Sequence, residues 1–325
     1  MTPLEKTILA TVSYYDIFDY PLTGFEIRRY LIFAKDFCRE DFKAGDVFAA
    51  LAESEILQSR IGNKFGFYHL RDREEIVEKR LWRKKLADRK WKKLKRVFRI
   101  LSLVPYVRGI FVSGSLAMEN SKDESDVDII VVAKRGRIWT VRTLMTLLTF
   151  LLGVRRHGEK TRDRICLNHY ITDESLRIPF ESLYNAESYA HLLNVYLEDG
   201  KTFRRFQGEN SWLGDYIFNY QVTELHSTRA VRKNKILAGL ARIFERVLGG
   251  VLGGKLEKIF SNIEGGRIRK DALFQKSGGR ITIDDTQLEF HPDSHEHFVI
   301  PEFNRRMKEA GLTEFSEQKD SGLNR

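Results

Sequence analysis

Asp126 and Asp128, separated by one valine and followed by Ile129-Ile-Val-Val-Ala133, are the residues of this chain best placed to do chemistry. Side chains of an extended strand alternate in direction, so Asp126, Asp128, Ile130 and Val132 project from one face and Val127, Ile129 and Val131 from the other. The two carboxylates then stand side by side, roughly 6.6 Å apart along the backbone. Acids set in an apolar strand repel each other unless a cation or a donor lies between them. Mg²⁺ suits the pair, because it takes a few hard oxygen ligands and leaves its other positions to water and phosphate. Upstream, Ile110-Phe-Val-Ser-Gly114-Ser115 reads as a strand ending in a turn. Gly114 lets a ligand approach the backbone, Ser115 adds a hydroxyl, and a helix beginning near Leu116 offers free N–H groups to a phosphate. Ser125, next to the first acid, is a further nucleotide contact. A nucleoside triphosphate with its metal satisfies both halves; the plainer alternative is an edge strand with two solvated acids beside an ordinary glycine turn.

The order Gly114-Ser115, then residues 116–124, then Ser125-Asp126-Val-Asp128-Ile resembles the signature of the nucleotidyltransferase superfamily that includes DNA polymerase beta. The resemblance implies a polymerase beta-like core with a mixed sheet. It also implies Mg²⁺ or Mn²⁺ held by Asp126 and Asp128, with the triphosphate held by Gly114 and Ser115. The implied reaction moves an NMP from an NTP to a hydroxyl on a protein, a nucleic acid or a small molecule. Two ions about 4 Å apart would orient the acceptor and neutralise charge on the α-phosphate and the departing pyrophosphate. Such enzymes place a third carboxylate on a strand beside the acid pair, and here the strand over residues 164–172 has none. Asn168 aligns at that position, and an amide can ligate a metal but cannot serve as a base. Asp163 and Asp173 flank the strand, and His169 is either a base or a packed residue. A second function therefore stays open, a nucleic-acid-binding regulator with an inert core. A third is modification of a partner protein in the manner of antitoxin-type transferases.

The elements that must position these groups follow from periodicity and punctuation. Helices are expected over residues 4–17, from Thr23 (with Glu26 completing a capping box) to about residue 34, and over 44–54. Strands over 56–60 and 65–70, joined by Ile61-Gly-Asn-Lys64, complete the order of a winged helix-turn-helix for residues 1–72, a fold that places its third helix in the DNA major groove. That helix is poorly basic here, with Asp46 and Glu53 on it, so a brace or a protein contact is the competing reading. Residues 73–101 form a connecting helix whose segment 79–99 carries Arg83, Lys84, Lys85, Arg89, Lys90, Lys92, Lys93, Lys95 and Arg96 against Asp88 alone. It is the candidate nucleic-acid contact, the alternative being a solvated linker helix. The core spans 102–180 and includes an apolar helix over 138–154, read as packed on the sheet rather than crossing a bilayer. Arg155, Arg156 and Lys160 after it are within reach of a triphosphate. Residues 181–315 are expected to be mainly helical, with helices over 184–197, 212–222 and 236–252, a small hairpin over 281–290 and a helix over 301–310. Residues 316–325 read as a disordered tail.

Gly249-Gly-Val-Leu-Gly-Gly-Lys255 has phosphate-loop spacing but lacks the following Ser/Thr and the preceding strand. His291, His295 and His297 lack the spacing of a closed metal site and read as a polar loop. Cys38 and Cys166 are too few for a disulfide framework, and no secretory signal is visible, so the cytoplasm is the expected compartment. The 325 residues carry a formal charge of +10, a balance that favours nucleic acid or another polyanion as a partner, and no membrane partner is expected.

Overall fold

In the computed structural model the described residues are 1–32, 42–220, 222, 228–231, 235–270, 280–291 and 295–316. The expectations for Cys38, for the last residues of the second helix and for the tail beyond 316 lie outside them. The first helix, α1 (Pro3–Asp16), opens on Thr2, whose hydroxyl accepts from Glu5 N–H at 3.2 Å while the Glu5 carboxylate accepts from Thr2 N–H at 2.7 Å. After β1 (Leu22–Thr23), the Thr23–Glu26 capping box starts α2 (Gly24–Arg29) where the sequence places it. Then come α3 (Ala44–Glu53), α4 (Glu55–Arg60), β2 (Ile61–Lys64) and β3 (Phe67–Leu70), with the strands ordered β1-β3-β2.

The hairpin expectation is corrected by one element. Residues 56–60 are helical because the Ser54 hydroxyl caps Leu57 N–H at 3.2 Å and Leu57 is buried on the inner face. Ile61-Gly-Asn-Lys64 is then a strand rather than a turn. The turn is Phe65-Gly66, both with positive φ, braced by Asn63 Oδ1 accepting from Gly66 N–H at 3.2 Å.

A long helix, α5 (Glu75–Leu101), leads into β4 (Val107–Val112), the single turn α6 (Gly114–Ala117), β5 (Val127–Ala133), α7 (Ile138–Leu151) and β6 (Ile165–Thr172). These are followed by α8 (Leu183–Ala190), β7 (Leu193–Leu197), α9 (Thr202–Glu209), a 3-10 turn at Ser211–Asp215, α10 (Lys235–Val247), α11 (Gly250–Lys270), β8 (Arg280–Ile283), β9 (Gln287–His291) and α12 (Glu296–Glu309). The six-stranded mixed sheet runs β7-β4-β5-β6-β9-β8, with β5 and β6 parallel and the other pairs antiparallel. The carboxy-terminal region is mainly helical and carries the expected hairpin as β8 and β9, but the helix expected over 184–197 is corrected, since α8 ends at Ala190 and Leu193–Leu197 is a strand. Residues after 180 supply three of the six strands, because Val195 buries itself at the β4 edge and Leu288 and Phe290 bury themselves beyond β6. The expected helix over 212–222 is a 3-10 turn at its start, and that over 301–310 begins earlier, at Glu296.

Each face of the sheet closes its own core, as strand alternation requires. Phe111, Ile130, Val132 and Ile171 pack with α1, α8, α9 and α12. Ile110, Val112, Ile129, Val131 and Tyr170 pack with α5 and α7 on the other side. Among the described residues no helix is long and apolar enough to cross a membrane.

Candidate functional site

Asp126 stands one residue before β5 and Asp128 is its second residue, on the same face as Ile130 and Val132. The β4–α6 turn meets them directly. Ser113 N–H donates to Asp128 O at 3.0 Å, Gly114 has φ +65°, and a Cβ built on Gly114 would fall 2.7 Å from Asp128 Oδ2. Only glycine tolerates both that backbone and that contact. The turn and the acids are thus neighbours, as expected, although α6 is one turn long and starts at Gly114 rather than near Leu116.

Cys166, not Asn168, is the β6 residue beside the pair. The β5–β6 register runs Asp128↔Cys166 and then jumps to Ile130↔His169, so a bulge carries Asn168 out of line. The side chain of Asn168 contacts His291 Nδ1 at 3.2 Å instead. Ligand atoms of Asp126, Asp128 and Cys166 all lie within 4.8 Å of one another. Burial, then the charge of Asp126, pushes the Asp128 carboxyl up to about 7, with Arg156 pulling the other way. Burial and both acids push the Cys166 thiol up to about 12. Arg156 donates to Asp126 Oδ2 at 2.6 Å, so of the three basic residues after α7 this one reaches the site.

The remaining flanking groups are committed elsewhere. Asp163 is held by Lys90 at 3.1 Å and Lys93 at 2.9 Å, and Asp173 accepts from Arg135 N–H at 2.8 Å at the far end of β6. His169 is buried, its imidazole kept neutral chiefly by desolvation, and clusters with Glu289 and His291. His291 closes β9 and His295 and His297 begin α12, so these three are not one polar loop; residues 292–294 between them are outside the description. Residues 249–255 run into α11 without a preceding strand, which leaves the phosphate-loop spacing without its context.

The loop carrying Ser125 is clamped from below by α5. Buried Lys90 donates to the carbonyls of Asp123 at 3.0 Å and Ser125 at 2.8 Å, and Lys122 N–H donates to Ser125 Oγ at 2.9 Å. Arg83, also buried, joins Asp19 at 3.1 Å to Asn120 at 3.1 Å, and Lys84 pairs with Glu119. Half of the basic helix is therefore spent on internal contacts. Its outward side keeps Lys85, Arg89, Lys92, Lys95, Arg96 and Arg99, all exposed, together with Trp82.

A cavity of about 430 Å³ joins these parts. Gly114, Ser115, Ser125, Asp126 and Asp128 line it together with Tyr15, Tyr184, Glu187 and His191. Sequence reading missed Cys166, whose placement depends on a bulge, and Glu187, whose helix shows only an ordinary apolar pattern. Arg156 carried the one usable signal, a basic residue shortly before the strand that pairs with the acids. No family model, curated protein or solved structure matches this chain.

Proposed function

We propose that the chain transfers a nucleotide from an NTP to a hydroxyl acceptor, with Asp126, Asp128, Gly114 and Ser115 as its reaction site. The observation that carries this reading is the close approach of the Gly114 turn to the Asp128 carboxylate, with Gly114, Ser115 and both acids lining one cavity. A divalent cation fits the pair, since enclosure and mutual repulsion leave Asp128 short of positive charge even with Arg156 nearby. Mg²⁺ or Mn²⁺ there would neutralise charge building on the α-phosphate and on the pyrophosphate.

The chain's own groups do the rest. The Gly114 backbone and the Ser115 hydroxyl receive triphosphate oxygens, Ser125 borders them, and Arg156 holds Asp126 in place. Cys166 stays a neutral thiol and does not serve as a base. In the reaction the acceptor hydroxyl gives up its proton to water and its oxygen bonds the α-phosphorus as the bond to pyrophosphate breaks, the pyrophosphate leaving. Within this reading residues 102–180, with the later strands added, are a polymerase beta-like core. Residues 1–72 are a winged-helix-like brace, as the burial of α1 and the exposed acids Asp46 and Glu53 on α3 favour. Incubation with α-labelled NTPs, Mg²⁺ and a panel of protein, nucleic-acid and small-molecule acceptors tests the proposal. Label should transfer with the unaltered chain and vanish with Asp126→Ala at unchanged circular dichroism; equal transfer by the variant removes the pair from the reaction.

A second reading, a nucleic-acid-binding regulator with an inert core, is favoured by the outward basic stripe of α5 and by the thiol at the position of the third acid.

A further inference from the structure

Past its bulge, β6 continues with His169, and the antiparallel register sets Glu289 of β9 directly opposite. His291 lies two residues beyond Glu289 on the same strand, so alternation turns both toward one face, the face that also carries Ile130 and Ile171. An opposed pair and its diagonal neighbour are within side-chain reach of each other. Ligand atoms of His169, Glu289 and His291 accordingly all lie within 4.8 Å of one another. None of the three lines the cavity beside Asp126 and Asp128.

Neighbouring amides occupy the outer atoms of this cluster. Gln287 Nε2 contacts Glu289 Oε2 at 3.3 Å and His169 Nε2 at 3.4 Å, and Asn168 Nδ2 contacts His291 Nδ1 at 3.2 Å. Glu289 Oε1 and His291 Nε2 are left facing each other at 3.7 Å. That gap is long for a hydrogen bond and near the roughly 3.4 Å between two donors that share one tetrahedral Zn²⁺. Glu289 is fully buried and its Oε1 has no hydrogen-bond partner, a costly state for a carboxyl oxygen. Arg280, opposite His291 on β8, pairs with Glu296 at 3.6 Å, and no Lys or Arg among the described residues forms an ion pair with Glu289.

We propose that His169, Glu289 and His291 hold a structural Zn²⁺ ion, in a site separate from the acid pair. Two imidazoles and one carboxylate suit this borderline ion, whereas Mg²⁺ takes oxygen ligands. The ion lies inside the donor set and so needs no opening at Glu289 Oε1 itself. It enters past the His291 side chain, which is 29% exposed, and a water on that side completes four ligands. Asn168 and Gln287 orient the ligands from behind, the Asn168 amide turning its oxygen to His291 Nδ1–H. The join between β6 and β9 is short, with His169↔Glu289, Tyr170↔Leu288 and Ile171↔Gln287 as its register. Zn²⁺ at its end pins a strand from late in the chain to the strand that flanks the acids. The site stands whether or not the chain transfers nucleotides.

Titration of the chelator-treated chain with Co²⁺, in excess Mg²⁺ to fill oxygen-only sites, tests this. About one Co²⁺ per chain should bind with the visible absorption of a four-coordinate ion, and Zn²⁺ should displace it. His291→Ala, which removes a part-exposed ring, and Glu289→Gln, which keeps the side-chain volume, should each weaken binding at least about a hundredfold at unchanged circular dichroism. Asn168→Ala, which removes only an orienting group, should weaken it about tenfold. Asp126→Ala should leave it unchanged. Zn²⁺ should raise the thermal midpoint of the unaltered chain but not that of His291→Ala. Absence of the visible bands, or bands that survive both His291→Ala and Glu289→Gln, overturns the proposal. Bands lost with Asp126→Ala, or joined by the near-ultraviolet absorption of a cobalt–sulfur bond, also overturn it, because the ion then belongs to the acid pair and Cys166.

Discussion

Gly114 carries as much of the site as the acids it touches. Its φ of +65° costs a residue with a Cβ about 1–2 kcal/mol, and the added carbon would meet Asp128 Oδ2 at 2.7 Å. Gly114→Ala should therefore leave the fold intact but turn the Asp128 carboxylate away from the bend. Nucleotide affinity in the presence of Mg²⁺ should fall at least about tenfold by equilibrium dialysis, and undiminished affinity would detach the bend from the acids. At this scale the sequence was informative wherever neighbours along the chain decide the outcome. Alternation alone places Asp126 and Asp128 with Ile130 and Val132. It could not choose between Asn168 and Cys166, because a single extra residue in the β5–β6 ladder reverses which side chain faces the pair.

The helix α5 shows how one element serves two surfaces. Its inward Lys90 and Arg83 tie down the loop before β5, and both are buried among backbone carbonyls and acids that lie far away in sequence. Periodicity predicts the helix and its apolar stripe, but only the folded partners reveal which of its bases are already engaged. Lys85, Arg89, Lys92, Arg96 and Arg99 recur at steps of four and three, so they share one outward stripe. If that stripe meets a phosphate backbone, duplex DNA binding should weaken with salt along a slope of about −0.9 per contact. Charge reversal at Lys85 and Arg89 should flatten the slope by about two contacts, measured by fluorescence anisotropy across a salt series. A slope identical to that of the unaltered chain would leave α5 as a structural brace alone. Local signals were likewise enough for the Thr23–Glu26 cap. They misread residues 56–60, where the Ser54 cap outweighs β-branched and apolar content.

At the scale of the whole molecule, the sheet is closed by strands that the sequence scarcely marks as belonging to it. β7 pairs with β4 and β9 pairs with β6 across long stretches of chain, and neither pairing leaves a local trace beyond a short apolar alternation. The same distance effect hides Glu187, which approaches the cavity from a helix opposite the sheet, and the His169–Glu289–His291 cluster, drawn from two strands. Sandwiched between its two cores, the sheet holds the acid pair on a face that the amino-terminal helices and α12 roof over. The account turns on that pair acting as a cation-dependent triphosphate site. Electron paramagnetic resonance titration of Mn²⁺ with an NTP present measures this without requiring turnover. The unaltered chain should hold Mn²⁺ in an NTP-dependent manner, and Asp126→Ala and Asp128→Ala should each lose that binding; retention of NTP-dependent Mn²⁺ by both variants would contradict the account.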